Sequence, residues 1–283
     1  MLSISPLQVE GFFDRASATV SYLVLDRDTG CCALIDSLLD PGAHRGGHSS
    51  AVAERLVERV QELGARVQWL LETDVHADHR SAAPMLQQAL GGRIGIGRPV
   101  VAVRQLCGQP CVDCGDGSGE EPAFDHLFDD GERFDVGGLQ GRVLHTPGHT
   151  PASTTYVVAD GEGPVAQIAA FVGDTLCMPE QGTAACDFPG GDARTLFASV
   201  NKVLSLPAAT RLYIGHGHAA GGRGLRFVST VAEQRSHNVH VRNGISEEAF
   251  VALRQAGDTA SGRPVPLLSC VRANLRCGLW SPT

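Results

Sequence analysis

The chain has 283 residues, enough for one large domain or two small ones with a sizeable buried core. Hydrophobic residues make up 43% and charged residues 19%, the balance of a soluble globular protein. A net charge of -8 argues against a nucleic-acid or anionic-membrane binder, although a local basic pocket for an acidic small molecule is compatible with it. Met1 to Glu10 lacks the basic start and apolar stretch of a signal peptide, and no apolar run is long enough for a bilayer span, so the expected location is the cytoplasm.

Thr19 to Leu25 alternates and is rich in Val, Tyr and Leu, which predicts a strand. Asp26 to Gly30 reads as a turn and Cys31 to Ile35 as the returning strand, ended by Asp36, a place where carboxylates often support a metal-site loop. Ser49 and Ser50 are N-cap candidates for a helix to about Leu63, with Val52, Leu56, Val60 and Leu63 as its apolar stripe and Gly64 as its stop. A strand follows at Val67, then a helix over Ser81 to Leu90 closed by Gly91 and Gly92. Arg93 to about Gly141 reads as loop-rich, with short β segments around Ile94, Leu127 and Phe134. Strands are expected at Gln140–Leu144, Thr154–Val158, Ala166–Val172 and Arg211–Ile214, and helices at Ala193–Leu204, Phe227–Val241 and Ser246–Gln255, the last two on the outside.

The chemistry concentrates at strand ends. Directly after Val67–Leu71 comes Thr73-Asp74-Val75-His76-Ala77-Asp78-His79, with four potential metal ligands within six positions. Alternate residues of an extended chain point the same way, so Asp74 and His76 can converge on one ion. Asp78 and His79 fall where the chain turns and can aim at a second point nearby. His149, Asp174 and His216 each follow a strand-like run, and each is preceded by a glycine: Gly148, Gly173 and Gly215. Glycine permits close backbone approach and unusual dihedrals at a crowded centre.

The Asp74–His79 segment resembles the HxHxDH signature of the metallo-β-lactamase superfamily, with Asp74 in place of the first His. Four motifs in the right order extend the resemblance over Phe12 to Gly257. It implies an α/β (α+β) chain folded as a four-layer αββα sandwich, one domain over residues 1–283, with outer C-terminal helices from about 227. Carried over residue by residue, one metal position would use Asp74, His76 and His149, and the second Asp78, His79 and His216, with Asp174 bridging; Asp78 would also be catalytic.

Within the superfamily the chain is most similar to the persulfide dioxygenase and bacterial β-lactamase-like hydrolase branch. The stretches that carry this include Glu72-Thr73, His76-Ala77-Asp78-His79, Ser81-Ala82-Ala83, Leu144 to Thr150, Phe171 to Thr175, Asp187 to Ala193, and Glu233-Gln234-Arg235 with Asn238. Such enzymes oxidise glutathione persulfide with one Fe(II) and dioxygen. Their glyoxalase II relatives hydrolyse glutathione thioesters with two metals, here Zn(II) or Mn(II). The resemblance thus implies a glutathione-linked small-molecule substrate, no nucleic-acid or membrane partner, and a homodimer as the suggested assembly. Asp74 alters the chemistry: oxygen ligands shift preference toward Mn(II) or Fe(II). An added carboxylate also neutralises a dinuclear site and so raises the pKa of its bound water. A working or weakened dioxygenase, a hydrolase and a non-catalytic binder are the three readings this leaves.

Other features carry less. The nine cysteines are read as reduced thiols, and the Cys107-x3-Cys111-x2-Cys114 spacing as a loop insertion, because no fourth ligand is obvious and Asp113 and Asp116 would repel a cluster. His145 reads as a strand-end hydrogen-bonding residue, and Cys177 as a packed thiol with no adjacent base. His237 and His240 read as residues of an outer helix, and His44 and His48 as loop residues. Arg235 and Arg242 are candidates for substrate carboxylates, and His218 for contact with substrate or support of a ligand.

Overall fold

The structure is a computed structural model that describes residues 5–39, 51–75, 80–106, 124–163, 166–218 and 225–261, together with Val271, Asn274 and Leu275. Strands β1 (Leu7–Phe13), β2 (Val20–Asp26), β3 (Cys31–Ile35), β5 (Arg66–Leu71), β7 (Arg93–Gly97) and β8 (His126–Phe128) form one sheet in that order. A second sheet contains β9 (Arg133–Val136), β10 (Leu139–His145), β11 (Thr154–Ala159), β12 (Ile168–Gly173), β13 (Arg211–His218) and β14 (Arg226–Thr230), in the order β14-β13-β12-β11-β10-β9. Short strands β4 (Leu38–Leu39) and β6 (Arg80–Ser81) pair as a small ribbon.

The layering follows from the two-residue period of the strands. In the first sheet Leu23, Leu25, Cys32 and Leu34 turn to one side and pack with Val52, Leu56 and Val60 of helix α1 (Ala51–Glu62) and Leu86 of α2 (Ala83–Leu90). The alternate residues Val20, Tyr22, Val24, Ala33 and Ile35 face the second sheet, where Val143, Tyr156, Val158, Phe171 and Tyr213 meet them. On the far side of that sheet, Ala170, Val172, Leu212 and Ile214 pack against Leu196, Val200 and Val203 of α4 (Ala193–Leu204) and Phe250 of α6 (Glu247–Ser261). Three apolar layers between four structural layers make the expected αββα sandwich. Each fully buried Leu, Val or Phe contributes roughly 1.5–3 kcal/mol, so the predicted stripe Val52, Leu56 and Val60 suffices to fix α1.

Topology places the site. β3, β5, β7 and β8 pair in parallel, as do β12 and β13. β10 and β12 both lie antiparallel to β11, so they run in the same direction. The carboxyl ends of β5, β10 and β12 are where Asp74, His149 and Asp174 follow, the end of a sheet at which open α/β proteins build sites.

Several elements differ from expectation, among them β13, which continues to His218, and α6, which continues to Ser261. β1 lies at Leu7–Phe13, ahead of the first expected strand. The stretch read as loop-rich contains α3 (Val100–Leu106), begun directly after Pro99. The helix expected from Ser81 starts at Ala83, because Ser81 pairs with Leu38 and its hydroxyl accepts from Ala83 N at 3.1 Å. The helix expected over Phe227–Val241 is a strand, β14, followed by the shorter α5 (Val231–His237). Val228 pairs with Tyr213, and Thr230 ends the strand by capping α5 through Glu233 N at 3.1 Å. No helix of the described residues is long and apolar enough to cross a membrane.

Candidate metal centre

Asp74 enters from the first sheet. Its position is fixed one residue earlier, at Thr73, whose amide donates to Asp36 Oδ1 at 2.7 Å and whose hydroxyl donates to Asp36 Oδ2 at 2.9 Å. The Thr73 carbonyl accepts from Thr154 N of the second sheet at 2.8 Å. Asp36 is buried with φ of 50°, a left-handed backbone that Asp tolerates better than most residues. Its own amide donates to Leu71 O at 2.9 Å and its carbonyl accepts from Ser21 Oγ at 2.7 Å. The carboxylate at the end of β3 therefore braces the chain at Thr73, directly ahead of Asp74.

The second sheet supplies His149, Asp174 and His216. Gly148 has φ of +135°, and a Cβ there would lie 2.4 Å from backbone atoms of Leu196 in α4. Gly173 has φ of +50°, and its Cβ would lie 2.4 Å from Thr73 Oγ1. A Cβ on Gly215 would sit 2.6 Å from Asp174 Oδ1. All three glycines are required by close packing beside a candidate ligand, as the sequence pattern implied.

The Nε2 atom of His149 lies 3.6 Å from Asp174 Oδ2 and 3.8 Å from Asp74 Oδ2. Ligand atoms of Asp74, His149 and Asp174 all fall within 4.8 Å of one another, the one such group among the described residues. Ligands at ~2.0–2.2 Å from a common ion stand roughly 3–3.6 Å apart. The spacing thus fits three donors that have almost closed on one divalent cation and is long for direct hydrogen bonding. On the other side of Asp174, His216 Nε2 approaches Oδ2 at 3.3 Å. His149 Nδ1 donates to the Ala185 carbonyl at 2.6 Å, which places the proton on Nδ1 and turns the Nε2 lone pair toward the carboxylates. Ala185 was not legible beforehand: its contribution is a main-chain oxygen, which no residue type signals.

Two buried tyrosines hold the walls. Burial, then the Asp36 charge, pushes both phenols well above their ordinary pKa, so they remain donors. Tyr22 Oη donates to the Ile214 carbonyl at 2.6 Å, and Tyr156 Oη to the Glu72 carbonyl at 3.0 Å.

The remaining candidates divide. His76, Asp78 and His79 lie outside the described residues, as do His44, His48, Cys107, Cys111 and Cys114 and the side chain of His218. Arg235 and Arg242 line a separate cavity of about 320 Å3 together with Leu204, at the far end of α4. Arg235 donates to the Leu204 carbonyl, eight residues beyond the Leu196 that packs on Gly148, or about 12 Å along the helix. The His145 amide donates to Asp130 Oδ1 at 2.8 Å and its Nε2 meets Phe128 O at 2.9 Å, the strand-end role expected. His237 is exposed, and His240 is half-buried, with its Nδ1 accepting from Thr183 N at 3.0 Å. Cys31, Cys32 and Cys186 are free thiols, and burial pushes Cys186 up to about 12, which leaves it inert.

Residues 14–216 match the profile of the metallo-beta-lactamase superfamily, and the chain belongs to it. It is 50% identical over 275 residues to a probable metallo-hydrolase of Burkholderia pseudomallei, covering 96% of this chain and 93% of that one. It is 41% identical to a beta-lactamase hydrolase-like protein of Xylella fastidiosa, covering 98% of this chain but only 62% of that longer protein. It is 29% identical to the human mitochondrial persulfide dioxygenase ETHE1, covering 99% of this chain and 92% of that one. The crystal structure of ETHE1 from Myxococcus xanthus superposes with a TM-score of 0.72 at 27% identity, covering 96% of this chain and all of that one. The protein is thus a metal enzyme of the metallo-β-lactamase fold.

Proposed function

We propose that this protein is a persulfide dioxygenase-like enzyme that converts glutathione persulfide, dioxygen and water to glutathione and sulfite, using one Fe(II). The observation that carries the reading is the meeting of Asp74, His149 and Asp174 around one point. Two carboxylate oxygens and one imidazole suit a borderline-to-hard dication, and Fe(II) fits that donor set better than Zn(II) does. Similarity to persulfide dioxygenases over nearly the whole chain supports the same chemistry. Bound Fe(II) would supply electrons toward dioxygen and a position for the substrate sulfur. The chain's own residues do the rest. Asp74 and Asp174 balance the two positive charges of the ion. The Ala185 carbonyl keeps the Nδ1 proton of His149 in place, so the ring offers only Nε2. Burial of Asp74 and His149 keeps bulk water from that side of the centre.

A second reading is a dinuclear Zn(II) or Mn(II) hydrolase of a thioester, lactone or related carbonyl. It is favoured by His216, 3.3 Å from Asp174 Oδ2 but outside the three-donor group, where a second ion would require a ligand. In that reading His76, Asp78 and His79 complete the two positions, and Asp78 serves catalysis.

Oxygen uptake with glutathione persulfide, measured beside thioester hydrolysis on protein of known metal content, decides between them. The dioxygenase reading requires uptake at one iron per chain. Hydrolysis with two zinc or manganese ions per chain overturns it, and silence in both assays at full metal content points to a non-catalytic binder.

A further inference from the structure

Among the described residues no strand pairs with the segment between β12 and α4, yet it carries the carbonyl that orients His149. Gln234 and Asn238 meet its earlier carbonyls at Cys177 and Gly182, and the outermost helix meets the stretch that carries Ala185. Arg254 Nη1 of α6 donates to the Thr183 carbonyl at 3.1 Å, and Asp258 Oδ2 accepts from the Cys186 amide at 3.2 Å. Arg254 Nη2 and Asp258 Oδ1 are themselves joined at 2.6 Å, four residues apart on one helix face. The two grips are therefore parts of one fork, and Ala185 lies between them. We propose that Arg254 and Asp258 are positioning residues for His149, acting through the strap Thr183–Cys186.

Two observations argue that this exceeds ordinary attachment of α6. Arg254 is only 8% exposed, and burying a guanidinium is costly unless its hydrogen bonds require the place. Attachment alone is already provided by Phe250 and Val251, which sit in the apolar layer against α4 and β13. The strap is also indexed at its start. Gly182, at φ of +88°, lies against the His240 ring, where a Cβ would come within 2.2 Å, and Thr183 N and Oγ1 both meet His240 Nδ1. With its entry held by His240 and its two ends held by the fork, the strap has little freedom, and the Ala185 oxygen stays 2.6 Å from His149 Nδ1. Removing the fork frees the carbonyl, and the imidazole loses the contact that aims Nε2. Loss of a partner that orients a metal-bound histidine typically weakens metal binding by about 10–100-fold.

This inference rests on the reading of His149 as a metal ligand. The test titrates the full-length apo chain with Co(II), following the visible ligand-field bands, and with Mn(II) in competition. Arg254→Met is expected to weaken both ions by about tenfold or more and to shift the cobalt bands. Arg254→Lys should recover part of the affinity, and Asp258→Asn should reproduce part of the loss. Phe250→Leu is the control, since it loosens α6 without removing a hydrogen bond to the strap: it should lower the melting temperature and leave the cobalt bands alone. Wild-type affinity and bands in folded Arg254→Met, or in Asp258→Asn should the first variant fail to fold, overturn the inference while leaving the metal reading intact. The same shift in Phe250→Leu as in Arg254→Met also overturns it. A wild-type chain that takes up neither ion overturns both.

Discussion

The two sheets deliver their ligands by different means. The second sheet sets His149, Asp174 and His216 behind glycines, two of them at positive φ, and relies on the absence of a side chain to bring backbones together. The first sheet sets Asp74 behind a threonine clamped by the Asp36 carboxylate. One half is positioned by closeness and the other by directed hydrogen bonds. The lesson is that a rim assembled from two sheets needs a device on each side, and the devices fail differently: a glycine replacement collides, whereas a clamp replacement leaves a buried amide unpartnered.

The largest effect is expected on the glycine side. Gly148→Ala would place a methyl 2.4 Å from the Leu196 backbone at φ of +135°, a combination expected to cost about 3–5 kcal/mol of stability. Urea denaturation would read it, and an unchanged midpoint would break the contrast between the halves. Next comes the clamp. Asp36→Ala should cost about 2–3 kcal/mol because a charge-assisted pair of bonds is lost within a buried site. Metal content after dialysis should fall as well. Asp36→Asn should recover part of the loss, since Asn accommodates the left-handed backbone. A variant with full stability and full metal would remove Asp36 from the account.

Asp74→His sharpens the comparison by giving the first sheet the ligand type of the second. Competition between Zn(II) and Mn(II) should move toward zinc by about tenfold, without a large change in stability. Persulfide-dependent oxygen uptake should rise if Asp74 is a compromise ligand, and unchanged metal preference would show that Asp74 does not ligate. The smallest effect concerns pH. Burial, then the Arg254 charge, holds the His240 imidazole below 6.5, with Asp258 pulling the other way. As pH falls below the unfolded value of 6.5, the unfolded chain binds a proton there that the folded chain does not, so stability declines until the lower folded pKa is reached. His240→Asn should flatten that part of the stability curve, and an unaltered slope would acquit His240.

Much of this was legible in the sequence because ligands and strands share a rule. Asp174 and His216 could be placed because each ends an apolar run and follows a glycine. The alternation of Thr19 to Leu25 gave β2 its two buried faces, and the Val52–Val60 stripe gave α1. What escaped depended on context that residue types do not encode. Phe227 to Thr230 suits either an outer helix or an edge strand, and pairing with Tyr213 decides the matter. Thr230 followed by Glu233 was a readable helix-start signal, and it would have separated β14 from α5. Leu7, Val9 and Phe13 face one apolar layer and Phe12 another, but Gly11 interrupts the alternation and keeps it from standing out. Arg235 looked like a substrate contact on charge alone, but the helix end it caps points it elsewhere.

The paired tyrosines have one more implication. Tyr22 reaches from the first sheet to the main chain just ahead of His216, and Tyr156 reaches from the second to the main chain just ahead of Asp74. Each leaf of the sandwich thus carries a rivet set into the other leaf, two residues short of the functional rim. Sliding of one leaf over the other would strain both rivets before it could separate the donors, so the pairing of the leaves fixes the dimensions of the cation pocket.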